Sequence, residues 1–445
     1  MKNKLIIPGR IVTNNSNDEI LLGNAVEIKD DTITGIKKWS KKEIQSFKGQ
    51  VIYAEHLTLV PGFIQTHIHL CQTLFRGLAD DLQLLDWLQL KIFPFENAHN
   101  RASLKYSVRI GINELLLGGT TTILDMGTLR YQEEIFDELI NAGMRAFAGK
   151  CMIDQNDLFP GFKSNTKSEL NETLQLAKEF HNKSDLIKYG FAPRFVLSCS
   201  EELLKETRNM MQDFPGSIYH THSSENQYEV AEVRKRFGKE NIEFFNDANI
   251  LSDDVVLAHC IHLNEKETGI LKNQKTRVAH CPSSNLKLAS GIAQIPLYLK
   301  NGISVSLGAD GAPCNNSLSA FVEMRLAALI QKPIHGADVL NAKTIFKLAT
   351  IEGAKALHID DKVGSIEPGK KADLVLINLD RLSHSLSNSP EKIYSDLVYS
   401  ASKEDVIDVM VNGKWVVRQK KSLLYDENEL YINSKKQLSS LLKRL

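Results

Sequence analysis

From about residue 59 to 350, short apolar runs alternate with stretches whose apolar positions recur every three or four residues. The runs Leu59–His69, Thr120–Gly127, Arg145–Met152, Leu186–Arg194, Ser217–Glu225, Val255–His262, Arg277–Ser284 and Ser304–Asp310 read as strands. Between them, Ser103–Leu117, Gln132–Ala142, Leu170–His181 and Glu265–Lys272 have the spacing of helices with one covered face. Eight strands alternating with helices predict an α/β fold, a closed TIM-like (β/α)8 barrel whose functional groups gather at the C-terminal ends of its strands.

The two ends of the chain have a different pattern. Leu5–Thr13, Ala25–Lys29 and Thr32–Lys37 at the start, and Ala372–Leu379 and Val406–Val417 near the end, are strand-like runs separated by turn residues. Asn412-Gly413 is a hairpin signal between Val409–Val411 and Trp415–Val417. We expect a small β-sandwich domain built from residues 1–57 and 369–425, a barrel over 58–368, and a peripheral C-terminal helix over 426–445.

Composition agrees with this layout. The 445 residues are too many for one ordinary compact domain and suit a barrel with a smaller companion. Lys+Arg and Asp+Glu are both 54 with no basic block, which argues against nucleic acid or an anionic membrane as partner. A hydrophobic share of 42% is enough for a sizeable core. No apolar run approaches the ~18 residues of a membrane span, and Met1–Arg10 lacks a signal-peptide pattern, so a cytoplasmic setting is expected. The six cysteines are scattered without a Cys-x-x-Cys pair and read as reduced thiols.

Candidate chemistry sits at the strand ends. His67 and His69 are two apart on one apolar strand, so their rings share a face. A His-x-His pair alone also arises by chance or for structural reasons, but this one closes the first barrel strand. In His220-Thr221-His222-Ser223-Ser224-Glu225, His222 is placed to supply a third nitrogen and Glu225 to shuttle protons, with His220 the weaker member. Asp310, in Gly-Ala-Asp-Gly-Ala-Pro, is a carboxylate ending the last apolar strand, where a charge needs a partner. His259 and His280 end two further strands, and either one singly reads equally well as a satisfied core histidine. Three nitrogens and one carboxylate around one divalent ion suit Zn²⁺, with Fe²⁺ as the other choice. Such an ion activates water near neutral pH, and attack on an electron-poor ring carbon then needs a residue to carry protons.

On these residues the chain resembles the amidohydrolase superfamily, in the branch of triazine hydrolases, adenosine-type deaminases and guanine deaminase. The resemblance implies that His67, His69, His222 and Asp310 bind one metal ion. It also implies that Glu225, His259 and Asp310 are catalytic, and that no lysine bridges a second ion. Cys71–Asp81 and Gly308–Asn316 are similar to the 5′-deoxyadenosine, methylthioadenosine and S-adenosylhomocysteine deaminases. In that group a Trp, and a Glu nine residues later, line the nucleoside pocket; Trp87 and Glu96 have this spacing, which a core Trp and a surface Glu would also produce. His-x-His-x-x-Gln, ending in Gln72, and Pro193-Arg194-Phe195 are similar to guanine deaminases. Arg194 can donate two hydrogen bonds to a ring acceptor, or serve a structural salt bridge.

The implied activity is hydrolytic deamination of a small purine nucleoside or base by a homo-oligomer. Guanine deamination, triazine hydrolysis and a non-catalytic scaffold are the alternatives. Arginines after the third strand hold the carboxylate tail of S-adenosylhomocysteine in relatives, whereas Arg145 is the only arginine between Tyr131 and Pro193. Lys163 and Lys167 offer point charges without a bidentate fork, so a substrate lacking that tail is expected. Glu96→Ala is expected to impair nucleosides and spare free bases.

Overall fold

Pro61 and Gly62 mark the point where the chain leaves one sheet and enters another. The computed structural model describes residues 3–387 and 389–445, so Met1 and Lys2 of the N-terminal stretch lie outside the described residues. The first sheet takes β1 (Asn3–Val12), β2 (Ile20–Leu22), β3 (Ala25–Lys29), β4 (Thr32–Lys37) and β5 (Gln50–Pro61) from the start of the chain. The second holds β6 (Phe63–His69), β7 (Thr120–Asp125), β8 (Arg145–Ala148), β9 (Cys151–Met152), β10 (Ile187–Pro193), β11 (Ile218–Ser223), β12 (Val255–His259), β13 (Arg277–His280), β14 (Val305–Leu307) and β15 (Asp310–Gly311). β16 (Leu374–Ile377), β17 (Val406–Val411), β18 (Lys414–Arg418) and β19 (Lys421–Ser422) then return to the first sheet.

The second sheet is parallel throughout and closes on itself. β14 pairs with β13, and β15, two residues further along the same run, pairs with β6 in the register Asp310↔Ile68 and Gly311↔His69. This is the (β/α)8 barrel. The first sheet is antiparallel except for the β1–β5 pair, and it joins both chain ends in one nine-stranded array. Its period-two pattern feeds two cores: Val375 and Ile377 pack with the barrel, while Leu374 and Leu376 pack with Ile6, Ile28 and Leu59 in the sheet's own core. The buried pair Arg145–Asp373, at 2.9 Å, ties the start of β8 to this sheet. At Asn412-Gly413 both residues have positive φ, as the hairpin signal requires.

The strands are shorter than the apolar runs. Leu59–His69 breaks at Gly62, where a Cβ would lie 2.1 Å from Thr121 Oγ1. Arg277–Ser284 stops at His280, because Pro282 lacks the N–H a ladder needs and instead opens the helix Pro282–Lys287. The C-terminal helix spans Glu427–Leu442 and is less peripheral than expected. Leu441 is buried against Leu74, Phe75, Phe95 and Ala98, and Arg444 Nε donates to the Ala98 carbonyl at 2.7 Å. The helix therefore braces the excursion that links β6 to the helix Arg101–Leu117.

Gly308 lies where the barrel closes, and a Cβ there would stand 2.7 Å from His67 O and 2.8 Å from His67 N. Gly308→Ala should push β6 away at His67 and destabilise the protein by about 1–3 kcal/mol. Thermal unfolding measures this, and an unchanged Tm would contradict the closure geometry.

Candidate active site

His67 and His69 alternate with Ile68 on β6, so Ile68 packs in the apolar core while both rings face the barrel axis. Their Nε2 atoms lie 3.3 and 3.4 Å from Asp310 Oδ1, and His69 Nε2 lies 3.2 Å from His222 Nε2. Donor atoms bound to one tetrahedral cation at 2.0–2.1 Å stand about 3.3 Å apart, so the spacing fits a single ion. The far sides of two of the rings are occupied, while His69 Nδ1 is buried without a partner among the described residues. His222 Nδ1 donates to the Arg194 carbonyl at 2.7 Å, and His67 Nδ1 is 2.8 Å from His220 Nε2. His67 Nε2 is buried without a hydrogen-bond partner among the described residues. Burial lowers the proton affinity of His67, His69 and His222, which leaves neutral rings with free lone pairs. Burial alone would raise the pKa of Asp310, but His67, His69 and His259 beside it hold it well below the usual carboxylate range.

Glu225 follows the end of β11 in a turn that another carboxylate organises. Glu229 accepts the backbone N–H of Glu225 at 2.7 Å and those of Ser224 and Asn226 at 3.3 Å. Glu225 Oε2 lies 3.5 Å from His259 Nε2. Burial, with the negative charges of Asp310 and Glu229, pushes the Glu225 carboxyl well above its ordinary pKa. Four residues at this rim hold left-handed backbone: Ser224 (φ 52°), His259 (φ 73°), Cys260 (φ 48°) and Asp310 (φ 61°). Such conformations cost about 1–3 kcal/mol each and collect at functional sites. His280 lies outside the converging ligand groups His67–His69–Asp310 and His67–His222–His259, and burial lowers its pKa to about 3.

Above these groups a cavity is lined by Gln72, Leu84, Trp87, Leu88, Arg194 and Phe195. Its free volume, ≈ 20 Å³, suits about one water molecule. A π-helical turn at Leu88–Ile92 follows Trp87 directly. Glu96 does not line this cavity. It is buried behind it, accepting from Gln72 Nε2 at 2.8 Å and from Arg194 Nη1 at 3.1 Å. Arg194 thus forms the salt bridge that stood as its alternative reading and also faces the cavity, with its guanidinium 5.1 Å from the Phe93 ring centre.

Residues 58–416 match the amidohydrolase family. The chain belongs to that family. It is 35% identical over 395 residues to the 5′-deoxyadenosine deaminase of Methanopyrus kandleri, covering 88% of this chain and 89% of that one. With the 5-methylthioadenosine/S-adenosylhomocysteine deaminase of Bacillus cytotoxicus it shares 32% identity over 439 residues, 97% of each chain. A zinc-bound adenosine deaminase from Xanthomonas campestris superposes with a TM-score of 0.92 at 27% identity, covering 99% of each chain. A guanine deaminase from C. acetobutylicum with bound guanine has a TM-score of 0.84 at 26% identity, covering 93% of this chain and all of that one.

Within this amidohydrolase, the lysine of the fourth barrel strand, Lys188, opens β10 at the end away from the ligands. Several polar groups around the site were not anticipated. Ser284 Oγ donates to Asp310 Oδ2 at 2.6 Å, Asn285 Oδ1 is 2.8 Å from His259 Nδ1, and Glu229 holds the Glu225 turn. The run Pro282-Ser283-Ser284-Asn285 after a strand end, and the capping box Asn226-x-x-Glu229, were their only local signals.

Glu323, on the helix Ala320–His335, is buried and accepts from Ser283 N at 3.1 Å, Ser283 Oγ at 2.5 Å and Asn315 Nδ2 at 2.8 Å. Burial raises its pKa from 4.5 to about 7. The folded state therefore holds this proton between those values while the unfolded chain releases it. The stabilisation is complete at low pH and is lost as pH rises through about 7. Glu323→Gln should make stability fall less between pH 5 and 8, by up to about 3 kcal/mol. Equal slopes of unfolding free energy against pH in both proteins would refute this.

Proposed function

We propose that this amidohydrolase removes the amino group from the ring of an adenosine-type nucleoside, with 5′-deoxyadenosine or methylthioadenosine ahead of S-adenosylhomocysteine. The observation that carries the reading is the convergence of His67, His69, His222 and Asp310 within tetrahedral spacing beside Glu225 and His259. These four residues would hold one divalent ion, zinc first and iron second, which when bound supplies water activation near neutral pH.

The remaining work falls to the chain. Glu225 takes a proton from the attacking water as its oxygen bonds to the amino-bearing ring carbon. The same carboxyl returns the proton to nitrogen as the C–N bond breaks and ammonia leaves. A carboxyl whose proton affinity is raised by burial suits both halves of this shuttle. His259, with Nε2 3.5 Å from Glu225 Oε2, contacts the same water. Trp87 covers the ring, and Gln72 and Arg194 supply donors to its edge. Because Arg145 is committed to Asp373, no arginine of the segment after β8 meets an amino-acid tail. Six buried free thiols support a cytoplasmic setting. Exposed Val322 and Leu329, seven residues apart on one face of the helix Ala320–His335, support a homo-oligomer.

Guanine deamination is the second reading. It is favoured by Gln72 and Arg194 facing the cavity while Glu96, the expected ribose partner, is turned onto them.

Glu225→Gln should keep its metal and lose about 10²–10⁴-fold in turnover, whereas His67→Ala should lose metal as well. Metal analysis with ammonia release checks both, and near-normal turnover by Glu225→Gln would refute the shuttle. Substrate is decided by kcat/KM on 5′-deoxyadenosine, methylthioadenosine, S-adenosylhomocysteine and guanine. We expect the first two to lead. Glu96→Ala leaves a buried, unpaired Arg194, so it should lower stability by about 3 kcal/mol or more and impair nucleosides and guanine alike. A preference for guanine would transfer the assignment to the second reading.

A further inference from the structure

We infer that Ser284 and Asn285, consecutive residues of the helix Pro282–Lys287, are positioning residues of the reaction. Asn285 sets the ring of His259, and Ser284 sets the carboxylate of Asp310. The inference rests on the deaminase reading of the site.

Neither target side chain is placed by strand geometry alone. His259 and Asp310 both have left-handed backbone at the ends of their strands, so their side chains depart from the regular pleat. Each meets the same short helix instead. Asn285 Oδ1, an atom that can only accept, lies 2.8 Å from His259 Nδ1. With Asn285 Oδ1 as the acceptor, a proton is held on His259 Nδ1, and Nε2 is directed at Glu225 Oε2, 3.5 Å away. On the neighbouring residue, Ser284 Oγ donates to Asp310 Oδ2 at 2.6 Å. Asp310 Oδ1 takes the Gly311 N–H at 2.7 Å and remains directed at His67 and His69.

The helix is itself pinned. Glu323 takes both the backbone and the side-chain donors of Ser283, and Asn315 closes onto the same carboxylate. Three strand ends, those of β12, β13 and β15, are thus locked to one another through one helical turn.

A packing role explains Asn285 poorly. Its Nδ2 is buried with no partner among the described residues, a cost of about 1–3 kcal/mol that leucine would avoid. What only a polar residue provides here is the acceptor for His259.

The test compares Asn285→Leu with Asn285→Asp in metal-loaded protein, after ammonia release from 5′-deoxyadenosine by the unsubstituted enzyme has established the assay. Leucine matches the size and removes the acceptor; aspartate keeps the acceptor and buries a charge. If Asn285 positions His259, Asn285→Leu loses about 10–100-fold in kcat with metal content retained. Its KM stays within about two-fold of the unsubstituted enzyme. Asn285→Asp should be the faster variant despite a lower Tm. A packing residue gives the opposite order, and Asn285→Leu matching or exceeding Asn285→Asp would overturn the inference.

A second measurement needs neither variant nor substrate. In ¹⁵N-histidine-labelled enzyme, with the His259 resonance identified by its loss in His259→Gln, the ring should carry its proton on Nδ1. A ring without a proton on Nδ1 would overturn the inference even if both Asn285 variants failed to fold. Failure of the enzyme to release ammonia from any purine, with the tautomer as stated, would instead count against the deaminase reading alone.

Discussion

A carboxylate buried at the mouth of an apolar barrel is tolerated only with strong partners, and Asp310 is the group around which this chain meets that demand. Its oxygens face His67, His69, His259 and Ser284, contributed by three other strands or the segments that follow them. Burial lowers the proton affinity of His67, His69 and His222, so their lone pairs and the carboxylate charge define a cation site. A bound ion would offset the desolvation of Asp310 and tie β6, β11 and β15 together at their C-terminal ends. Stability of the barrel mouth and reactivity of the site are then two effects of one interaction.

Bringing those groups within tetrahedral spacing constrains the backbone as much as the side chains. The closing strand approaches His67 so nearly that Gly308 has no space for a methyl group. Left-handed backbone at Ser224, His259, Cys260 and Asp310 departs from a regular pleat at this rim. The rest of the molecule supplies rigidity. The terminal sheet shares its alternate residues with the barrel core, and the C-terminal helix braces the segment that carries Trp87 toward the cavity.

On the Arg194 side of the cavity the charge is paired. Arg194 offers donors to a substrate edge while Glu96, behind it, neutralises the charge and takes Gln72 as a further donor. Arg194 and Gln72 can thus offer directed hydrogen bonds without leaving an unpaired guanidinium. The free space is small, and Leu84, Trp87 and Leu88 form the apolar side of it.

The local periodicities of the chain were enough to determine the α/β alternation, the eight barrel strands, the paired terminal strands and the C-terminal helix, because these depend on which residues must be buried along a regular backbone. His67, His69, His222 and Asp310 were legible for a related reason: polar residues ending apolar strands of a barrel converge on one rim. Tertiary structure alone decided what depends on distance between remote segments. It turned Glu96 from the cavity onto Arg194 and Gln72, across 98 and 24 residues of sequence. It likewise joined Asn285 to His259 and Ser284 to Asp310. A hydrogen bond is set by a few tenths of an ångström and by what else competes for each donor, and neither quantity is written in spacing along the chain.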